Sequence, residues 1–109
     1  MYINTTIVGG NVVKDIETKV STNGSIAHFS VAVNRVYHTK TEEVKEVSYF
    51  DVVAFGKVAD ICVKYLKKGS EVIVEGRLKQ EKWEAKETKE THSRIVIVAE
   101  SVHFPAKKE

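Results

Sequence analysis

Residues 48–78, SYFDVVAFGKVADICVKYLKKGSEVIVEGRL, change period twice within one run. From Ser48 onward Tyr49, Asp51, Val53 and Phe55 fall on one side and Phe50, Val52 and Ala54 on the other, the alternation of a β-strand. Val58, Ile61, Cys62, Tyr65 and Leu66 then recur at i, i+3, i+4, i+7 and i+8. This spacing predicts an amphipathic helix over 58–68, stopped by Gly69. From Glu71 the period of two returns, with Val72, Val74, Gly76 and Leu78 on one face and Ile73, Glu75, Arg77, Lys79, Glu81 and Trp83 on the other. The first strand is apolar on both sides, and its charged side also carries two aromatic rings. A half-buried strand needs only one apolar face, so Tyr49 and Phe55 call for a second explanation.

Working outward, residues 3–13 form an apolar run in which Gly9-Gly10 predicts a bulge or sharp bend. Asn23-Gly24 marks a turn, and IAHFSVAVNRVY alternates Phe29, Val31 and Val33 against His28, Ser30 and Ala32. A charged hairpin loop is expected over residues 38–46. After EAKETKETH, the run RIVIVAESVHF reads as the last strand, ended by Pro105. Gly76 predicts a kink where a long strand turns a corner. The expected inward set is Val52, Ala54, Val72, Val74 and Leu78, with Phe29, Phe50 and Tyr65 also at core positions. Three strands, one helix and two strands is the order of the OB-fold, an all-β, five-stranded Greek-key barrel whose outer face and loops bind oligonucleotides or oligosaccharides.

The 109 residues suffice for one core, expected over residues 1–105 with a short basic end at 106–109. The lone Cys62 excludes an internal disulfide and fits a small core residue in a reducing compartment. His28, His38, His92 and His103 stand singly, without zinc-ligand spacing. No secretory signal is apparent, and no apolar run approaches the roughly 18 residues of a membrane helix, so a cytoplasmic chain without membrane association is expected. Catalytic motifs are missing from the sequence: it shows no nucleophile elbow, no acid and base pair and no phosphate loop, since Gly9-Gly10-Asn11 opens no helix. The reading is a protein that is not an enzyme, with no cofactor, no metal and no small-molecule substrate.

Seventeen Lys and Arg against fifteen Asp and Glu leave a net charge of +2, too small to argue a polyanion partner by itself. Distribution is more informative. Opposite the inward set, Tyr49 and Phe55 share the outside with Arg77, Lys79 and Trp83, while Arg35 and Tyr37 end the second strand on a common face. Rings among basic side chains suit an unpaired nucleic-acid strand, because bases stack on rings for roughly 1–3 kcal/mol each while cations follow the phosphates. For any one ring, packing against a neighbouring strand is the simpler reading; four together are harder to explain that way. Arg77 and Lys79 would equally serve to keep an exposed edge from aggregating.

Several stretches, in order, resemble one family: NTTIVGGNVVKD, NGSIAHFSVAVNR, YFDVVAFGK, YLKKGSEVIVEGRL and KW are similar to the bacterial single-stranded DNA-binding protein, from about Asn4 to Phe104. The resemblance implies a homotetramer of OB-folds that coats single-stranded DNA in replication, recombination and repair. It places the family's stacking aromatics at Tyr37, Tyr49, Phe55 and Trp83, and basic contacts at Lys40, Lys57, Lys68, Lys79 and Lys82. Arg35 and Arg77 come from the face argument. Residues 3–13 and 96–104 are the expected interface edges. The family's Gly/Pro/Gln-rich tail and acidic tip have no counterpart in a sequence that stops at PAKKE, so either a trimmed sequence or a naturally short, tail-less form is expected, with recruitment of partner enzymes doubtful. The alternative is an OB-fold protein-interaction module of the primosomal type, whose outward rings bury against another protein.

Overall fold

The computed structural model describes residues 1–22 and 24–105. Asn23 of the expected turn and the basic end at 106–109 lie outside the described residues. Within them run β1 (Thr6–Val12), β2 (Glu17–Ser21), β3 (Gly24–His38), β4 (Glu43–Phe55), α1 (Gly56–Tyr65), β5 (Glu71–Glu84) and β6 (Thr91–His103). β1 pairs with β5, β5 with β6, β6 with β4 and β4 with β3, and β3 returns to β1. Five strands therefore close on themselves, the expected OB-type barrel. β2 is an addition: ETKVS lies along β3 as an outlying flap, with Glu17 opposite His28 and Lys19 opposite Ile26.

Alternation puts Phe29, Val31, Val52, Ala54, Val72, Val74, Ile97 and Ala99 inside, all buried. Ala59, Cys62 and Leu66 complete the same cluster from the helix side, so α1 packs across one end of the barrel. Each fully buried valine contributes about 1.5–3 kcal/mol through removal of its apolar surface from water.

Two glycines permit the closure. A Cβ on Gly10 would stand 2.1 Å from the carbonyl oxygen of Ala32, at the point where β1 leaves β5 and reaches β3. A Cβ on Gly76 would stand 2.0 Å from the carbonyl oxygen of Val98. Pairing slips there: Glu75 faces Ser101 and Gly76 faces Ala99, so Glu100 is an extra residue on β6. The expected kink at Gly76 is thus a bulge on the partner strand. At Gly9-Gly10, by contrast, the β1–β5 register runs through unbroken, and the glycine serves close approach instead of a bulge.

Other expectations are corrected. The helix occupies Gly56–Tyr65, and Leu66 beyond it is extended, with Gly69 further on in a turn closed by the Ser70 N–H donating to the Lys67 carbonyl at 2.9 Å. The hairpin between β3 and β4 needs residues 39–42 alone, where the Thr39 N–H donates to the Glu42 carbonyl at 2.8 Å and the Thr39 hydroxyl accepts from the Glu42 N–H at 3.1 Å. Leu78, Phe50 and Tyr65 are exposed, not core. Leu78 and Phe50 have inward parity and lie opposite the buried Ile97 and Val31, but each comes just after its strand's second neighbour has ended, β1 at Gly76 and β6 at Val52, so one flank is left uncovered. Tyr65 ends the helix and lies against Phe104, with ring centroids 5.6 Å apart. Among the described residues, β1 pairs with β5 over Thr6–Asn11 but with β3 only at Asn11 and Val12, and β6 pairs with β4 only at Ile97 and Val98, so most of each expected edge has a strand on one side alone. The overrunning hairpins also explain a radius of gyration of 16.2 Å, where a compact chain of this length has about 13 Å.

Candidate nucleic-acid interface

The register assembles the outward face row by row. Phe55 lies opposite Ile26, which lies opposite Lys19. The next row across the sheet is Arg77, Val98, Val53, His28 and Glu17. Then Lys79 faces Val96, and Asp51 faces Ser30; beyond them Glu81 faces Arg94, and Tyr49 faces Ala32. Trp83 and His92 form the last of these rows. Counting back three residues from the Val52–Ile97 pair sets Tyr49 level with Arg94. Strand geometry separates Tyr49 from Phe55 by about 20 Å along β4, while Tyr49 and Trp83 are carried on separate ribbons, because β4 and β6 pair only at Val52 and Val53.

Tyr49, Phe55 and Trp83 are thus on one face with Arg77 and Lys79, and all five are exposed. Tyr49 is 66% exposed, against 47% for Trp83. Rings sealed in the barrel, or on its opposite sides, would have removed any common surface for a strand. Between them, Val53, Val96 and Val98 are buried in a second small cluster with Ile26. This cluster explains the doubly apolar β4: one side fills the barrel, and the other forms the floor of the outer face. A hollow of about 310 Å³ opens above that floor, walled by Lys14 and Lys19 on one side and Arg94 on the other.

The remaining sequence-predicted residues are placed elsewhere. Arg35 and Tyr37 have inward parity on the β3–β4 ribbon, on the surface opposite Tyr49. There the Arg35 guanidinium lies 4.8 Å from the Tyr37 ring centroid and 3.5 Å from Glu46. Lys40 is exposed at the ribbon tip, and Lys57 is exposed in the first turn of α1. Lys68 is in the turn after the helix, its backbone N–H donating to Asp15 Oδ1 at 3.2 Å. Lys82 alternates with Trp83 on the β5–β6 ribbon but lines a second hollow together with Glu81, Trp83 and Arg94.

Asp51, an anion on a face otherwise suited to anions, is engaged: its Oδ1 accepts from the Ser30 hydroxyl at 2.8 Å, and its Oδ2 lies 3.9 Å from Arg94 Nη1. Arg94 also donates from Nε to Glu81 at 2.9 Å. Sequence reasoning missed Arg94. The signal was the alternation of β6, which sets Arg94, Val96 and Val98 opposite Ile97 and Ala99, but its partners come from two strands distant in sequence. Trp83 is flanked by His92, with ring centroids 5.8 Å apart and planes 27° from parallel. Among the described residues, no three His, Cys, Asp or Glu side chains gather as metal ligands, and no helix is long and apolar enough to cross a membrane.

Comparison with known proteins gives the same picture. The single-stranded DNA-binding proteins of Treponema pallidum and Borreliella burgdorferi are 36% and 34% identical to this chain over 103 residues, 94% of it in each case. The chain spans 57% and 69% of the lengths of those two relatives. Among solved structures, the small single-stranded DNA-binding protein from Streptomyces coelicolor superposes with a TM-score of 0.78, covering 96% of both chains. The Plasmodium falciparum SSB in complex with ssDNA superposes with a TM-score of 0.87, covering 97% of both. At 23% identity each, these two matches speak to the fold. The family model of the single-strand binding proteins matches residues 3–105, nearly the whole sequence, and the chain belongs to that family.

Proposed function

We propose that this protein binds single-stranded DNA without catalysing a reaction, holding it unpaired and protected during replication, recombination or repair. The observation that carries the reading is the shared outward face of Tyr49, Phe55 and Trp83 beside Arg77 and Lys79. Every base has a π face, so stacking on these rings tolerates any sequence, and phosphate neutralisation releases counterions. Lys40 lies at the tip of one ribbon, and Tyr37 and Lys82 lie on the reverse sides of the two ribbons, where a strand that passes round the tips would meet them. Lys57 and Lys68 add positive charge around α1, and Arg35 completes the set beside Tyr37. A cytoplasmic setting and a homotetramer accompany this reading. Exposed Ile7 on β1, with Tyr2 and Ile3 before it, supplies apolar surface for self-association.

Titrating oligo-dT while following Trp83 emission tests the reading. Quenching that saturates and weakens steeply with salt is expected; unchanged emission and no binding at low salt would overturn it. Light scattering after size exclusion measures the assembly, and a monomer at micromolar concentration would remove the tetramer.

A further inference from the structure

Arg94 lines both hollows of the outward face, the one above Val53 and the one beside Trp83. Its guanidinium is 2.9 Å from Glu81 and 3.9 Å from Asp51, with Cζ 6.0 Å from the Trp83 ring centroid. Of its five N–H donors, the one on Nε is used on Glu81. The approach to Asp51 is too long for a hydrogen bond, so the Nη donors make none among the described residues. The side chain is 47% exposed, so water and solutes reach it. Glu81 and Asp51 thus hold a forked cation at the midline of the face, between Tyr49 and Trp83, without closing it off.

Resting on the single-stranded DNA reading, we propose that Arg94 is a phosphate contact at the centre of the path, and that Glu81 and Asp51 are positioning residues that serve as its counterions until DNA arrives. A phosphate oxygen pair fits the guanidinium fork better than one carboxylate oxygen held at Nε alone. An arriving strand therefore takes over a guanidinium already held in place between the rings. The acids orient Arg94 in the free protein and compete with the phosphate for it, so they lower affinity while fixing geometry. This also accounts for Asp51 and Glu81 on a surface that otherwise favours anions.

The test is a double-mutant cycle read by anisotropy of end-labelled oligo-dT across salt concentrations. Arg94→Gln is expected to weaken binding roughly tenfold at low salt and to reduce the log–log salt slope by about 0.7. Glu81→Gln is expected to tighten binding roughly fivefold when Arg94 is present and roughly twofold or less when it is Gln. Equal gains in both backgrounds would mean that Glu81 acts by general repulsion, and an unchanged slope for Arg94→Gln would mean no phosphate contact; either overturns the inference while wild-type binding stands. Absence of wild-type binding overturns both this inference and the reading beneath it. Arg94→Lys keeps the charge but not the fork, so it should preserve the slope and weaken binding. Its matching Arg94→Gln in slope would also overturn the proposal.

Discussion

Replacing Trp83 by alanine separates stacking from charge. A base stacked on an aromatic side chain contributes roughly 1–3 kcal/mol. Trp83 is 47% exposed, and His92 lies against it with planes 27° apart, so one face rather than two is open to a base. The lower half of the range therefore applies, about 1–2 kcal/mol, or a roughly five- to thirtyfold loss of affinity. No charge is removed, so the loss should be the same factor at every salt concentration, giving parallel lines on a log–log plot. It should also be the same for oligo-dT and oligo-dA. Anisotropy of an end-labelled oligonucleotide is the suitable assay, since the variant lacks the tryptophan reporter. A slope lower by about 0.7, or a loss confined to one sequence, would refute the assignment of Trp83 as a stacking platform.

Arg77→Ala and Lys79→Ala are expected to do the reverse, each lowering the salt slope by about 0.7; slopes equal to wild type would make these residues simple edge charges. Gly76→Ala should destabilise the fold by at least about 2 kcal/mol, because its Cβ would lie 2.0 Å from the Val98 carbonyl oxygen. A urea midpoint at or above the wild-type value would contradict the close approach. Burial pushes the Cys62 thiol from 9.0 up to about 11, so the folded state holds its proton more tightly than the unfolded chain. That contribution to stability is present below pH 9 and is lost as pH rises towards 11. Cys62→Ala leaves a cavity and is less stable at neutral pH, and the gap from wild type should narrow across that interval; a constant gap would count against a protonated, buried thiol.

Periodicity carried the five barrel strands and the helix because each has an apolar side that must be hidden. It failed where hiding is not what forms the element. β2 is held by its ladder to β3, and ETKVS has no apolar stripe to announce it. Leu78 and Phe50 obey the inward parity and face buried partners, but the neighbouring strand on their other side stops short of them, a limit set by strand pairing and invisible in a local window. At the candidate site, alternation along β4 and β5 was enough to group Tyr49 and Phe55 with Arg77, Lys79 and Trp83. Arg94 required the lateral order of β5, β6 and β4, which depends on topology. The same limit hid that Tyr37 and Tyr49 occupy opposite surfaces of one ribbon.

The two overrunning hairpins have a mechanical consequence. Beyond the barrel each is a ribbon two strands wide, held by its own ladder, whereas Val72, Val74 and Ile97 are sealed in the core. Amide exchange should accordingly be slow for those core residues and fast towards Tyr37, Lys40, Trp83 and His92. The molecule then works as a stiff palm with compliant fingers: Phe55 belongs to the palm, Trp83 rides on a finger, and a polymer of irregular shape is followed by bending at the tips while the core stays as it is.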